Sequence, residues 1–248
     1  DTTADTVATA LEAGYRAIDT ASAYRNEPGV GEGVKRSRVA RDKLFITTKL
    51  WNENQGYDAA LAAFDKSLSR LGMDYVDLYL IHWPAPTQDL YLDSWKALVR
   101  LREEGRARSI GVSNFAIPHL ERIIGETGVT PAANQIELHP RWQQPELRAF
   151  HAQKGIVTTS WSPLGQGKLL EDRVIAGIAA KHHKSAAQVI IRWHLDLGLT
   201  VIPKSVTPAR IVSNLDVFGF SLDAADLAAI QALHTPDGRI GPDPVKFG

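Results

Sequence analysis

Seven short apolar runs alternate with stretches of helical periodicity, and this alternation constrains the chain more than any other feature. The runs are Tyr15–Ile18, Leu44–Lys49, Asp77–His82, Ala107–Val112, Ala132–Glu137, Ile156–Trp161 and Leu199–Pro203. A helix over Thr3–Ala13 precedes the first. Between and after them the spacing predicts helices near Tyr57–Leu71, Leu92–Glu104, Ile117–Gly125, Pro145–Gln153, Asp172–Lys181, Ala186–Leu197, Pro208–Asn214 and Ala224–Leu233. In the first of these, Leu61, Phe64, Leu68 and Leu71 recur three or four apart, the period of one helix face. Short apolar strands separated by amphipathic helices imply a parallel sheet covered by helices.

An open, doubly wound sheet would carry a glycine fingerprint after its first strand. The stretch Pro28-Gly29-Val30-Gly31-Glu32-Gly33-Val34 has the wrong spacing for one and no strand immediately before it. It reads as a helix start with small packing residues. A closed α/β barrel, the (β/α)8 or TIM barrel, needs about 250 residues, and this chain has 248. The expected architecture is one barrel domain over residues 1–248. Only seven strands are legible, so an eighth is expected to precede Asp1. The tail Thr235–Gly248, rich in glycine and proline, is expected to be irregular.

Composition narrows the partners. The formal net charge is zero, with 28 basic and 28 acidic residues, which argues against nucleic acid or an anionic membrane surface. No apolar stretch approaches the roughly 18 residues of a membrane-spanning helix. Cysteine is absent, which removes disulfides, thiolate nucleophiles and cysteine-bound metal. The expectation is a cytoplasmic monomer acting on a small molecule.

Several strands end in chemically capable residues. Asp19 follows the first strand and Tyr24 lies five residues on; Lys49 ends the second strand and His82 the third. In a barrel these ends converge on one face. A tyrosine is a poor acid at neutral pH unless its anion is stabilised. A lysine ammonium within reach would do that, and an aspartate behind the lysine would hold it charged and aimed. A histidine beside them would orient a carbonyl oxygen. The set suits proton delivery to a developing alkoxide. It offers no metal site, with one histidine and one carboxylate, and it needs a hydride from elsewhere.

These residues sit inside longer motifs that resemble the aldo-keto reductase family. They are Gly14-Tyr15-Arg16-x-Ile18-Asp19-Thr20-Ala21-x-x-Tyr24-x-Asn26-Glu27, Leu80-Ile81-His82-Trp83-Pro84, Gly111-Val112-Ser113-Asn114-Phe115, Asn134-Gln135-Ile136-Glu137 and Ile202-Pro203-Lys204-Ser205. Within the family, Lys49-Leu50-Trp51-Asn52 and Trp161-x-Pro163-Leu164-Gly165-Gln166-Gly167-Lys168 are most similar to bacterial 2,5-diketo-D-gluconate reductases. The resemblance implies a (β/α)8 barrel that binds NADPH across its C-terminal face and reduces a small carbonyl substrate.

Carried over by position, Tyr24 is the general acid, Lys49 and Asp19 tune it, and His82 orients the carbonyl. Ser113, Asn114 and Gln135 hold the nicotinamide carboxamide and Trp161 stacks on its ring. Leu164, Gln166 and Lys168 lie under the loop over the pyrophosphate. Lys204, Ser205, Val206 and Arg210 grip the 2′-phosphate and adenosine, with Asn214 at the adenine. Trp51 and Trp83 wall the substrate pocket. Two departures stand out: the family's opening hairpin and first strand have no counterpart in this chain, and Ser213 replaces a residue that is often acidic beside the adenine. Two competing readings are a non-catalytic NADPH sensor on the same scaffold and a different barrel enzyme, such as an isomerase using His82 and Lys49, which predicts no nucleotide binding.

Overall fold

The computed structural model describes residues 2–248. Seven strands form one sheet in sequence order: β1 (Ala17–Asp19), β2 (Phe45–Leu50), β3 (Val76–Ile81), β4 (Ala107–Ser113), β5 (Ala133–Glu137), β6 (Val157–Trp161) and β7 (Thr200–Val201). Every neighbouring pair is parallel. The helices that cover it are α1 (Thr2–Ala13), α2 (Glu27–Ser37), α3 (Tyr57–Leu71), α4 (Tyr91–Glu103), α5 (Ile117–Thr127), α6 (Pro145–Lys154), α7 (Arg173–His182), α8 (Ala186–Asp196), α9 (Pro208–Leu215) and α10 (Ala224–Gln231). No helix among the described residues is long and apolar enough to cross a membrane.

The sheet is curled into a barrel, and two contacts demonstrate it. Strands β1 and β5 are four places apart; at about 4.8 Å per strand a flat sheet would separate them by about 19 Å. Yet Gln135 Nε2 of β5 donates to Asp19 Oδ2 of β1 at 2.7 Å. Outside the sheet, Tyr15, just before β1, donates its hydroxyl to the Ile211 carbonyl of α9 at 3.0 Å. The start of the chain therefore meets the helix that follows β7. Among the described residues β1 and β7 are the edge strands. The strand expected before Asp1 lies outside the described residues.

Alternation along each strand sorts the core. Leu78, Leu80 and Ala133 cluster inside the barrel, whereas Tyr79 and Ile81 belong to the layer between sheet and helices with Phe64, Trp95 and Leu98. The suspect glycines in α2 are packing residues, as the sequence implied. A Cβ at Gly31 would lie 2.1 Å from the Leu71 carbonyl oxygen, and one at Gly33 2.6 Å from Val7 Cβ. Substitution of either would force α2 away from α3 or α1.

Two differences from the sequence reading are local. Asp19 is the last residue of β1 rather than the first of a loop. β7 spans two residues instead of five: Ile202 N still donates to Ser160 O at 3.2 Å, but Pro203 has no N–H and cannot extend the ladder.

Buried histidines lie in this layer too. His151 bridges Asn134 Nδ2 at 3.0 Å and Thr158 Oγ1 at 2.8 Å. Asn134 donates into one ring nitrogen, so the network fits the neutral imidazole, and burial pushes its pKa down to about 4. His194 lies between the carbonyls of Ile190 and Leu138. His182, at the end of α7, contacts Asp226 Oδ2 at 2.7 Å.

Candidate active site

The C-terminal strand ends bring Asp19, Tyr24, Lys49 and His82 together. Lys49 is fully buried, a costly place for an ammonium unless it is paired and hydrogen-bonded. It is both: Nζ contacts Asp19 Oδ1 in a short ion pair and donates to the Thr20 carbonyl at 2.9 Å. Asp19 spends its second oxygen on Gln135. The carboxylate thus holds Lys49 from one side and Gln135 from the other.

Tyr24 sits on a single 3-10 turn, Ser22–Tyr24, closed by Arg25 at φ 54°. The turn is fixed to the sheet by Ser22 Oγ donating to Lys49 O at 2.9 Å. Thr20 Oγ1 also donates to Asn26 Oδ1 at 2.7 Å. The Lys49 ammonium lies 5.2 Å from the Tyr24 ring centre. The Tyr24 ring is half exposed at 51%, so the phenol is accessible while the lysine behind it is not.

His82 meets Tyr24 edge-on at 5.6 Å between ring centres, and Trp51 at 5.2 Å. Burial, reinforced by the Lys49 charge, pushes its pKa down to about 3. The imidazole is neutral at physiological pH. A neutral imidazole can donate a hydrogen bond but is not an acid at this pH. Its Nδ1 is buried without a partner, which leaves Nε2 as the nitrogen available to a carbonyl oxygen.

The neighbouring strand ends carry Ser113, Asn114, Gln135 and Trp161. Ser113 Oγ donates to Gln135 O at 2.7 Å. Asn114, held at φ 63°, donates from Nδ2 to the His82 carbonyl at 3.0 Å. Its Oδ1 accepts from Trp161 Nε1 at 2.8 Å. Trp83 is 6.5 Å from Trp161 between ring centres and stacks at a tilt against Phe247 at 4.6 Å. Indole walls therefore flank the four-residue cluster.

A second cleft opens beside α9. Leu164, Lys204, Ser205, Val206, Arg210 and Asn214 all line it. Lys204 and Arg210 are exposed, and among the described residues neither makes an ion pair. Two uncommitted cations and a serine stand at the start of a helix, where backbone N–H groups also favour an anion. This donor set fits a phosphate ester. Gln166 and Lys168 stand on and beside the turn Gly165–Gly167 and do not line the cleft. Ser185, Ala187, Leu170 and Thr207 do line it and were not singled out by sequence. Ser185 was findable as the cap of α8, with Gln188 three residues on. Phe247 carried no signal, because it lies in the irregular tail.

The barrel thus gathers a Lys–Asp ion pair, a half-exposed tyrosine and a neutral histidine beside an anion-fitted cleft. The chain belongs to the aldo/keto reductase family: the family model matches residues 1–235. It is 59% identical over 241 residues to an aldo-keto reductase of Mycolicibacterium smegmatis, spanning 97% of this chain and 87% of the relative. A methylglyoxal reductase of Yersinia pestis is 55% identical, with 98% and 87% covered, and a glyoxal reductase of Bacillus subtilis 52%, with 97% and 86% covered. Among solved structures, a point mutant of Gox0644 in complex with NADPH superimposes with a TM-score of 0.97 at 53% identity, covering 100% of this chain and 90% of that one. A putative 2,5-diketo-D-gluconic acid reductase B gives a TM-score of 0.94 at 34% identity, covering 100% and 89%.

Proposed function

We propose that this protein uses NADPH to reduce small dicarbonyls and keto acids to alcohols, with Tyr24 as the proton donor. The observation that carries the reading is the ion pair of buried Lys49 with partly buried Asp19, behind half-exposed Tyr24. When bound, NADPH supplies the hydride that reduces the carbonyl carbon. Tyr24 delivers the proton to the carbonyl oxygen from its phenol. Lys49, aimed by its ion pair with Asp19, places a positive charge beside the phenolate left behind. His82 donates a hydrogen bond from Nε2 and fixes the carbonyl oxygen near Tyr24.

Ser113, Asn114, Gln135 and Trp161 hold the nicotinamide end, and Lys204, Ser205 and Arg210 hold the 2′-phosphate end. Trp51 and Trp83 wall a pocket suited to small, compact substrates, and the kinship to methylglyoxal and glyoxal reductases supports that size class. An NADPH-oxidation assay across methylglyoxal, glyoxal, a diketo acid, a β-keto ester and an aromatic aldehyde tests the reading. Turnover with the small dicarbonyls or the diketo acid is expected. NADPH binding without turnover of any of them would favour the sensor alternative, and no NADPH binding would favour a different barrel enzyme.

A further inference from the structure

Glu137 belongs to the Asn134–Glu137 motif, yet nothing in the reaction above employs it. It closes β5 and is 4% exposed. Oε1 accepts from the Ile240 N–H at 2.6 Å and Oε2 from the Gly241 N–H at 2.7 Å. His139 Nε2 contacts Oε1 at 3.0 Å. A buried carboxylate is thus spent on two consecutive backbone amides of the tail, more than a hundred residues away in sequence.

The clamped segment reaches the active-site walls in both directions. At Gly241 the backbone passes so close to Trp161 that a Cβ would lie 2.5 Å from Cη2, and 2.9 Å from Glu137 Oε2. Further along, Phe247 packs on Trp83. Between them the tail's Pro242, Asp243 and Val245 share a cavity with Asn114 and Trp161. Arg239, just before the clamp, lies 5.0 Å over the Trp142 ring and pairs with Asp243 at 3.2 Å.

We propose that Glu137 is a positioning residue for substrate selection: its carboxylate clamps the Ile240–Gly241 backbone, docks the tail on Trp161 and Trp83, and so builds the outer wall of the carbonyl pocket. The proposal rests on the reductase reading, but its first test does not. Carboxylate bonds to backbone N–H groups are charge-assisted, so their loss opens the segment roughly 10–100-fold more often. Trypsin cleaves after Arg239, at the peptide bond whose amide Glu137 holds.

Glu137→Gln and Gly241→Ala are compared with the wild type by limited tryptic digestion, with cleavage after Arg239 followed by mass spectrometry of the peptides that begin at Ile240. Both variants should be cut after Arg239 roughly 10-fold faster or more, whereas cleavage before residue 239 stays at the wild-type rate. With the best carbonyl substrate, KM should rise about 10-fold in both variants, and in Glu137→Gln kcat and NADPH affinity should stay within about 3-fold. Gly241→Ala leaves the carboxylate and His139 intact, so a purely structural Glu137 would spare it. Wild-type KM in Gly241→Ala with a freed tail, or a kcat loss at unchanged KM in Glu137→Gln, would overturn the proposal. If the wild type turned over no carbonyl, the reductase reading would fail while the digestion still decided the clamp.

Discussion

Lowering the pH from about 7.5 to about 5 should destabilise this protein through histidines that it buries uncharged. His82 and His151 have folded-state pKa values pushed down to about 3 and about 4, from an ordinary 6.5, chiefly by burial. The unfolded chain binds these protons as the pH falls through 6.5 and the folded chain does not. Stability is therefore fully present above the unfolded value and is lost below it. At about pH 5 each group costs roughly 2 kcal/mol, and the pair about 4 kcal/mol if they act independently. His194 is flanked by two carbonyl acceptors that favour its charged form, but burial outweighs them and pushes its pKa down to about 4 as well, so it adds a loss of the same sign and similar size. Carboxylates held below their ordinary range, such as Glu137 from 4.5, withdraw their contribution only at lower pH. The window between about pH 5 and 6.5 thus reports the histidines. For a chain of this size, the 4 kcal/mol of His82 and His151 alone lowers Tm by roughly 8–16 °C. Differential scanning calorimetry across the window measures it, and His82→Gln should remove about a third of the dependence. A Tm that stays within a few degrees between pH 7.5 and 5 would refute a neutral, buried His82.

Three further outcomes are expected. Arg210→Ala should raise the Kd for NADPH roughly 10–100-fold while leaving NADH nearly unchanged, measured by tryptophan-fluorescence titration; equal losses for both would detach Arg210 from the 2′-phosphate. Lys49→Met should cut kcat by about 10²–10⁴ and lower stability by roughly 1–3 kcal/mol, because partly buried Asp19 loses its cation; urea melts check the second number. Adding Asp19→Asn to Lys49→Met should restore part of the stability and none of the turnover, since it removes the orphaned charge but not the need for a cation beside Tyr24.

Much of this was legible in the sequence because strand-end chemistry in a barrel is dictated by topology. Once the alternation implied a parallel, curled sheet, Asp19, Lys49 and His82 had to share a face, and the structure brings them together with Tyr24. The α9 cleft was legible for a similar reason, since Lys204 and Arg210 bracket one strand-to-helix turn. What periodicity could not convey is long-range backbone pairing. The tail has no period, so Phe247 on Trp83 and the Glu137 clamp left no local trace. Nor does sequence spacing show that Gln135 bonds to Asp19 across the barrel. The two-residue β7 was overread because apolar Ile202 and Pro203 extend a strand-like run in composition while proline withholds the hydrogen bond.

The central claim is that Tyr24 donates the proton. Tyr24→Phe removes one hydroxyl and keeps the ring against His82, so pocket shape and cofactor cleft are preserved. Carbonyl-dependent NADPH oxidation should fall by about 10²–10⁴, or roughly 3–5 kcal/mol of barrier, while NADPH affinity by direct titration stays within about 3-fold. A Tyr24→Phe enzyme with wild-type turnover would contradict the account.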